Sequence, residues 1–454
     1  MKKFPLHWGI PLGCLLLSGS FATSASAASS WDGKSNVQYV IDVEPDRPDA
    51  IYHKGETVTF NIDVQDNKQP AANTSVDWVI SKDGVAPFQK GTLVIQDGKG
   101  SVTGTLSEPG FLRCEVSLKQ DKTTIMAPAE AAIDPQEIKP SLPVPDDFDA
   151  FWAAKKKALE AIPINPKLTP VTTPPLWPNA ETFDFQADCI GKPARGYYSR
   201  PKDAKPKSCP ILLYVEGAGV RSAEIGVAAR FAQKGFLSMD LNAHGIDNGQ
   251  PKPYYDALAN GELKNYKTDG RESRDTYYFV GMYLRDLRAL DFLCSQPEWD
   301  GHTVILEGVS QGGAQSIAVT ALDPRVTYLV CGFPGLCDLS GAVAGRIAGW
   351  PRMVPVDAQG KPDPAALETS RYVDIVNLAS RVKAPSHFWI GFVDAVTPPT
   401  TTYAAYNVMG GDKHVHNDPR NGHGHDNPQF WQTAGTMIVD EAAAEQAKAK
   451  LKAQ

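Results

Sequence analysis

The chain has 454 residues, with 45 Lys and Arg against 52 Asp and Glu, giving a formal net charge of −7. The two signs are interspersed and no basic stripe runs along the sequence, which argues against a nucleic-acid partner. A 42% hydrophobic and 9% aromatic content is that of a globular protein, and the length suits two domains better than one core.

Lys2 and Lys3 open the chain, apolar residues follow through 12–17, and small residues lead to Ala25-Ser26-Ala27. This is the order of a secretory signal peptide over 1–27, with cleavage expected after Ala27. The apolar run is shorter than the about 20 residues that cross a bilayer. Cys14 follows Gly13, but Pro11 suits a lipoprotein anchor poorly. A secreted or periplasmic protein without a membrane span is expected.

Residues 28–135 read as a small all-β domain. Segment 57–64 alternates apolar and polar residues, and 75–80, 91–95, 101–106 and 111–118 repeat the habit. Asp83-Gly84, Asp97-Gly98 and Pro109-Gly110 supply turns between them. Short strands at this spacing predict a sandwich of the immunoglobulin or fibronectin type. No cluster of exposed aromatics can be read from it, so a packing domain is favoured over a carbohydrate-binding module.

A proline-rich bridge at 134–145 leads into the second domain, 136–454, where strand-like and helix-like runs alternate. Strands are expected at 182–190, 194–199, 211–215, 237–241, 303–306, 326–331 and 387–392. Helices are expected at 147–161, 222–233, 274–294, 313–322, 400–409 and 429–452. This pattern predicts an α/β domain, a doubly wound and mostly parallel sheet. Residues 250–270 lack periodicity and read as an insertion.

Gly308-Val309-Ser310-Gln311-Gly312 lies between a predicted strand and a predicted helix. That is the setting of a nucleophile elbow, in which a sharp turn lifts the serine hydroxyl above the sheet. A serine needs a base, and in α/β-hydrolases the chain order is serine, acid, histidine. Asp394 closes the apolar run 387–393 and is the expected acid. His423, in Asn421-Gly422-His423-Gly424-His425, is the expected base, with His425 as runner-up. His414 and His416 sit in a charged, surface-like stretch. Histidines spaced by two offer no helical i,i+4 pair and no thiolate partner, so no metal is expected. The loop Glu216-Gly217-Ala218-Gly219 follows a predicted strand, and the backbone N–H groups of Ala218 and Gln311 are the expected oxyanion hole. Six cysteines remain after the leader, at 114, 189, 209, 294, 331 and 337. Several lie in apolar runs, and all are read as structural.

These residues resemble the acetyl xylan esterase and cephalosporin-C deacetylase family. Pro145-Asp146-Asp147-Phe148-Asp149-Ala150-Phe151-Trp152 is similar to its opening helix, and Gly308–Gly313 to its G-x-S-Q-G-G motif. Asp394 with Pro398-Pro399 and Tyr403–Asn407 resembles its acid segment, and Gly422-His423 its histidine motif. The likeness runs from about 142 to the C-terminus. It implies an α/β-hydrolase that deacetylates xylo-oligosaccharides and similar acetyl esters without metal or cofactor. It also implies a homo-oligomer, whose contacts the extra N-terminal domain would block or replace. Three places depart from the family pattern: Glu216-Gly217-Ala218 stands for H-G-Y, Ala243-His244-Gly245 for R-G-Q, and Gly424 for the glutamate after the histidine.

The same triad would serve a prolyl-oligopeptidase-like serine peptidase, but such enzymes carry a β-propeller far longer than the N-terminal domain here. A feruloyl esterase differs only in pocket size. A non-catalytic polysaccharide-binding protein is disfavoured by three intact catalytic residue types in the right order.

Overall fold

The computed structural model describes residues 38–120, 123–424 and 428–453. The expected signal peptide and His425 lie outside these residues. No helix among the described residues is long and apolar enough to cross a membrane.

The N-terminal module has nine strands: β1 (Tyr39–Pro45), β2 (Ile51–Tyr52), β3 (Val58–Asp66), β4 (Gln69–Pro70), β5 (Thr74–Lys82), β6 (Pro87–Ile95), β7 (Lys99–Gly104), β8 (Gly110–Gln120) and β9 (Thr123–Ile133). They form a four-stranded sheet, β1-β3-β4 with β7 beside β3, and a five-stranded sheet, β2-β9-β8-β5-β6. Period-two alternation drives both. Val58, Phe60, Ile62 and Val64 of β3 face Val76, Ile80, Cys114 and Val116 in one core. Strand β9 was not anticipated, because TTIMAPAEAAI is rich in alanine and poor in β-branched residues.

The second body holds α1 (Phe148–Glu160), β10 (Lys167–Val171), β11 (Ala180–Ala187), β12 (Ala194–Pro201), β13 (Cys209–Val215), α2 (Ile225–Ala232), β14 (Leu237–Asn242), α3 (Lys252–Asn260) and α4 (Tyr278–Cys294). It continues with β15 (Trp299–Val309), α5 (Gln311–Leu322), β16 (Tyr328–Gly332), α6 (Pro364–Val373), α7 (Ile375–Ala379), β17 (Ser386–Gly391), α8 (Pro399–Val408), β18 (Lys413–Asp418) and α9 (Pro428–Ala453). The nine strands order as β10-β11-β12-β14-β13-β15-β16-β17-β18. From β14 to β18 every pairing is parallel, whereas β10, β11 and β12 join antiparallel, so the sheet is mixed.

Alternate residues of the central strands sort to opposite faces. Leu212, Ile305 and Val330 pack under Phe231 of α2 and Phe430 of α9. Ile211, Leu213, Val304, Leu306 and Leu329 pack with α4, α5 and α7 on the other side. That second core continues into the N-terminal module through Ala50, Phe111 and Ala132. The Phe111 ring stands edge-on to Phe392, centroids 5.1 Å apart, and lies beside Tyr403. The six cysteines are all free, four of them buried.

Residues 413–418, expected to be a charged surface stretch, form the edge strand β18. His414 and His416 pair in register with His387 and Trp389 of β17. His416 stacks on the Trp389 ring at 4.0 Å and its Nε2 meets His387 Nδ1 at 2.8 Å. The insertion at 250–270 contains α3, and its Tyr266 is buried.

Glu307 on β15 is buried, opposite Tyr214 in the strand register, with the nearest cation, Arg230, at 4.0 Å. Burial pushes its carboxyl up to about 7. The folded state therefore binds this proton more tightly than the unfolded chain does. The stability it contributes is complete below the ordinary glutamate range and is lost as pH rises through about 7. Glu307→Gln is expected to raise Tm by about 3 °C or more at pH 8.5, with the gain vanishing at pH 5, by thermal melts at both values. Equal shifts at the two pH values would mean that ionisation of Glu307 carries no cost.

Candidate active site

Four loops at the carboxyl edge of the parallel strands carry the candidate residues. Ser310 follows β15, residues 216–219 follow β13, Asp394 follows β17 and His423 follows β18. In open α/β sheets this edge is where ligands gather.

Ser310 occupies φ 61° and ψ −121°, a strained conformation for a non-glycine residue. Its N–H donates to Gly332 O at 2.9 Å, and its carbonyl accepts from Ala314 and Gly335. The elbow is tight enough that a methyl on Gly308 would overlap the Gly312 carbonyl, and one on Gly312 the Val215 carbonyl. The glycines thus let strand, helix and the loop after β13 come together. The serine is 4% exposed.

The structure brings Ser310, His423 and Asp394 into one line. His423 Nε2 is 2.8 Å from Ser310 Oγ, and Nδ1 is 2.8 Å from Asp394 Oδ2. A carboxylate oxygen accepts only, so Nδ1 carries the hydrogen and the Nε2 lone pair faces the hydroxyl. Asp394 is buried and held by four donors. The N–H groups of Val396 and Thr397 both reach Oδ1 at 2.8 Å, and the Thr397 hydroxyl joins His423 on Oδ2 at 2.7 Å. A hydroxyl, an imidazole and a fixed carboxylate in this order can pass a proton from oxygen to nitrogen and back.

Gln311 opens α5 directly after Ser310, and the Val215 and Glu216 carbonyls at the start of the loop that carries Ala218 pack against Gly312. Sequence reasoning missed what holds that loop. Arg221 donates through Nη1 to Ala218 O at 2.9 Å and through Nη2 to Gly217 O at 3.1 Å, while Nε pairs with Glu216 at 2.7 Å. In a trans peptide the N–H points away from its carbonyl. Holding Gly217 O therefore fixes the direction of the Ala218 N–H. His244 holds the next carbonyl, Gly219 O, at 3.0 Å from Nε2, while Nδ1 accepts from Tyr278 Oη at 2.8 Å. Burial pushes the His244 imidazole down to about 3, so it stays neutral. The Gln311 side chain turns into the core, accepting from Tyr266 Oη at 3.0 Å and donating to Gln315, which donates to buried Asp286.

The three departures from the family pattern have local causes. Glu216 replaces the expected histidine and pairs with Arg221. Arg285 of α4 donates twice to Ala243 O, at 3.1 and 2.7 Å, so the R-G-Q segment is held from another helix. A side chain at Gly424 would enter the Phe333 ring, so glutamate cannot follow the histidine here. Thr397 was the other miss; its only signal is its place three residues after Asp394. Among the described residues, no group of three or more His, Cys, Asp or Glu is arranged to hold a metal.

The mixed sheet with a serine elbow at its carboxyl edge defines an α/β-hydrolase, and the class is that of the carboxylic ester hydrolases. The chain belongs to the acetyl xylan esterase family, whose model matches residues 133–436. It is similar to the acetyl esterase Axe7A of Xylanibacter ruminicola, 30% identical over 403 residues, covering 86% of this chain and 87% of that one. Such a match is longer than the stretch after the bridge, so it extends into the N-terminal module. An acetyl xylan esterase from Paenibacillus sp. R4 superposes with TM-score 0.58 at 28% identity, covering 68% of this chain and 98% of that one. The acetyl xylan esterase 1 structure from Thermoanaerobacterium sp. JW/SL YS485 (TM-score 0.55, 22% identity, 67% and 97% covered) shares the fold.

Proposed function

We propose that this protein is an exported serine esterase that removes acetyl groups from acetylated xylan or xylo-oligosaccharides and related small acetyl esters. The observation that carries this reading is the continuous contact from Ser310 Oγ through His423 to Asp394, 2.8 Å at each step. Membership in the acetyl xylan esterase family supports the substrate class.

In this mechanism Ser310 Oγ attacks the ester carbonyl while His423 Nε2 takes its proton. The Ala218 and Gln311 amides hold the oxyanion that develops, and the amino-terminal end of α5 adds partial positive charge. The imidazolium then protonates the departing sugar hydroxyl, leaving an acetyl-enzyme. Water repeats the cycle with His423 as base, releasing acetate. Asp394 orients the imidazole and stabilises its cation. Residues 1–27 are proposed as the leader, 28–135 as an immunoglobulin-like sandwich and 136–454 as the catalytic domain.

Arg221→Ala frees the Gly217 and Ala218 carbonyls and is expected to lower kcat about 10- to 100-fold with KM little changed, since removing one oxyanion donor costs about 10²- to 10³-fold. Arg221→Lys should not rescue it, because an ammonium cannot hold both carbonyls and the carboxylate. Steady-state kinetics on 4-nitrophenyl acetate read both numbers; an unchanged kcat would remove the loop from the reaction.

The substrate reading is tested by comparing 4-nitrophenyl acetate, butyrate and ferulate with acetylated xylan. Acetate and acetylated xylan should be turned over and ferulate should not. Equal rates across acyl length would defeat the small-acyl claim.

A further inference from the structure

The loop that carries Ala218 runs over 216–224, from the end of β13 to the start of α2, and both of its ends meet one buried carboxyl. Asp240 lies within β14 at 0% exposure, with Tyr214 of β13 and Tyr197 of β12 beside it in the strand register. Its Oδ2 accepts the N–H of Glu224, the residue before α2, at 2.6 Å. Its carboxyl also hydrogen-bonds that of Glu216, where the loop begins.

Two carboxylates cannot bond each other, since each only accepts, so one of the pair must carry a hydrogen. Glu216 is the ionised member, because Arg221 Nε pairs with it at 2.7 Å. Asp240 has no such cation. Its other acidic neighbour is Glu224, and Arg230 of α2 lies instead by Glu307, at 4.0 Å. Burial and the adjoining Glu216 charge hold the Asp240 carboxyl well above the usual carboxylate range. Oδ2 takes the Glu224 N–H, and Oδ1 is buried without a protein donor, so Oδ1 is the oxygen left to carry the hydrogen.

That hydrogen is linked to the oxyanion loop through successive contacts. Asp240 donates to Glu216, Glu216 holds the Arg221 guanidinium, and Arg221 holds Gly217 O and Ala218 O. An asparagine at 240 would make both contacts at any pH, its carbonyl toward the Glu224 N–H and its NH₂ toward Glu216. The acid makes them only while it is protonated. Once the hydrogen leaves, two buried negative charges stand side by side, and their repulsion displaces Glu216 and the arginine it anchors.

We infer that Asp240 is a positioning residue of the oxyanion loop, clasping its two ends by accepting from Glu224 and donating a hydrogen to Glu216. The role rests on the proposed esterase reading. It makes the direction of the Ala218 N–H, and with it kcat, depend on a proton that no substrate touches. Activity is complete while Asp240 is protonated and falls as pH rises through its titration.

The test is the pH dependence of kcat on 4-nitrophenyl acetate for the full chain, from about pH 7 to about pH 10, with the uncatalysed rate subtracted. In the parent kcat should fall about tenfold or more across that range with KM little changed, as for a misdirected oxyanion donor. Asp240→Leu should show the lowered kcat already at pH 7. Asp240→Asn should restore it to within about threefold of the parent and remove the alkaline fall. Glu307 titrates in parent and variant alike, so only the difference between them reports Asp240. Glu216→Gln takes the charge from the other side of the pair, should also flatten the fall, and serves where Asp240→Asn folds poorly. A parent with no alkaline fall, or a fall of equal size in either folded variant, overturns the positioning role alone. A folded parent that cleaves no 4-nitrophenyl acetate at any pH overturns the esterase reading and this role with it.

Discussion

Ser310→Ala is expected to lower kcat on 4-nitrophenyl acetate by about 10⁴- to 10⁶-fold while the protein still folds. The hydroxyl is the group facing the His423 lone pair, and no base can activate a methyl. The elbow itself should persist, because what holds it is backbone. Ser310 N–H still meets Gly332 O, and the Ala314 and Gly335 amides still meet the Ser310 carbonyl. Alanine carries the same strain at φ 61° as serine does. Tm should therefore stay within about 2 °C, within the range of neutral substitutions. Retained activity in a folded Ser310→Ala protein would remove the nucleophile from the mechanism.

The second large effect belongs to Asp394→Asn, and its cause is the tautomer of His423. In the native site Oδ1 accepts two backbone N–H groups, from Val396 and Thr397. An asparagine must keep its carbonyl oxygen there, since an NH₂ would oppose both donors. The NH₂ is then turned toward His423 Nδ1, which must accept. That moves the imidazole hydrogen to Nε2, where it faces Ser310 and cannot take its proton. A fall of about 10⁴ in kcat with little change in KM is expected, the size seen when an orienting acid is neutralised this way. His423→Ala should be comparably damaging. His425→Ala should remain active; if that variant is the dead one, the base has been misassigned.

The parts of the site written in consecutive residues were legible without a structure. The elbow announces itself because strand, turn and helix are local; the candidate acid Asp394 closes an apolar run, and the candidate base His423 stands in a glycine-flanked loop before the last helix. Arg221, His244 and Thr397 were not legible, since each acts on a carbonyl or carboxylate whose position tertiary packing sets. Edge strands were the main failure of the fold reading. KHVHND in β18 has a single apolar residue, Val415, and KLTPV in β10 is short and almost wholly exposed, so neither edge strand shows the alternation of a half-buried one. In β18 the apolar contact comes instead from an imidazole stacked on Trp389. Helices α6 and α7 went unseen because the inner face of PAALETSRYV carries small or polar residues, Ala366, Thr369 and Ser370, and IVNLA is only five residues long.

Phe111 has a practical implication for anyone dissecting the protein. Its ring, with Ala50 and Ala132, completes the larger core from outside the catalytic body. Cutting the chain at the bridge leaves an empty socket beside Phe392 and Tyr403, directly under the segment that ends in Asp394. A graft onto another scaffold must bring a plug of the same shape, or the excised piece will carry a sticky hollow at the root of its own acid.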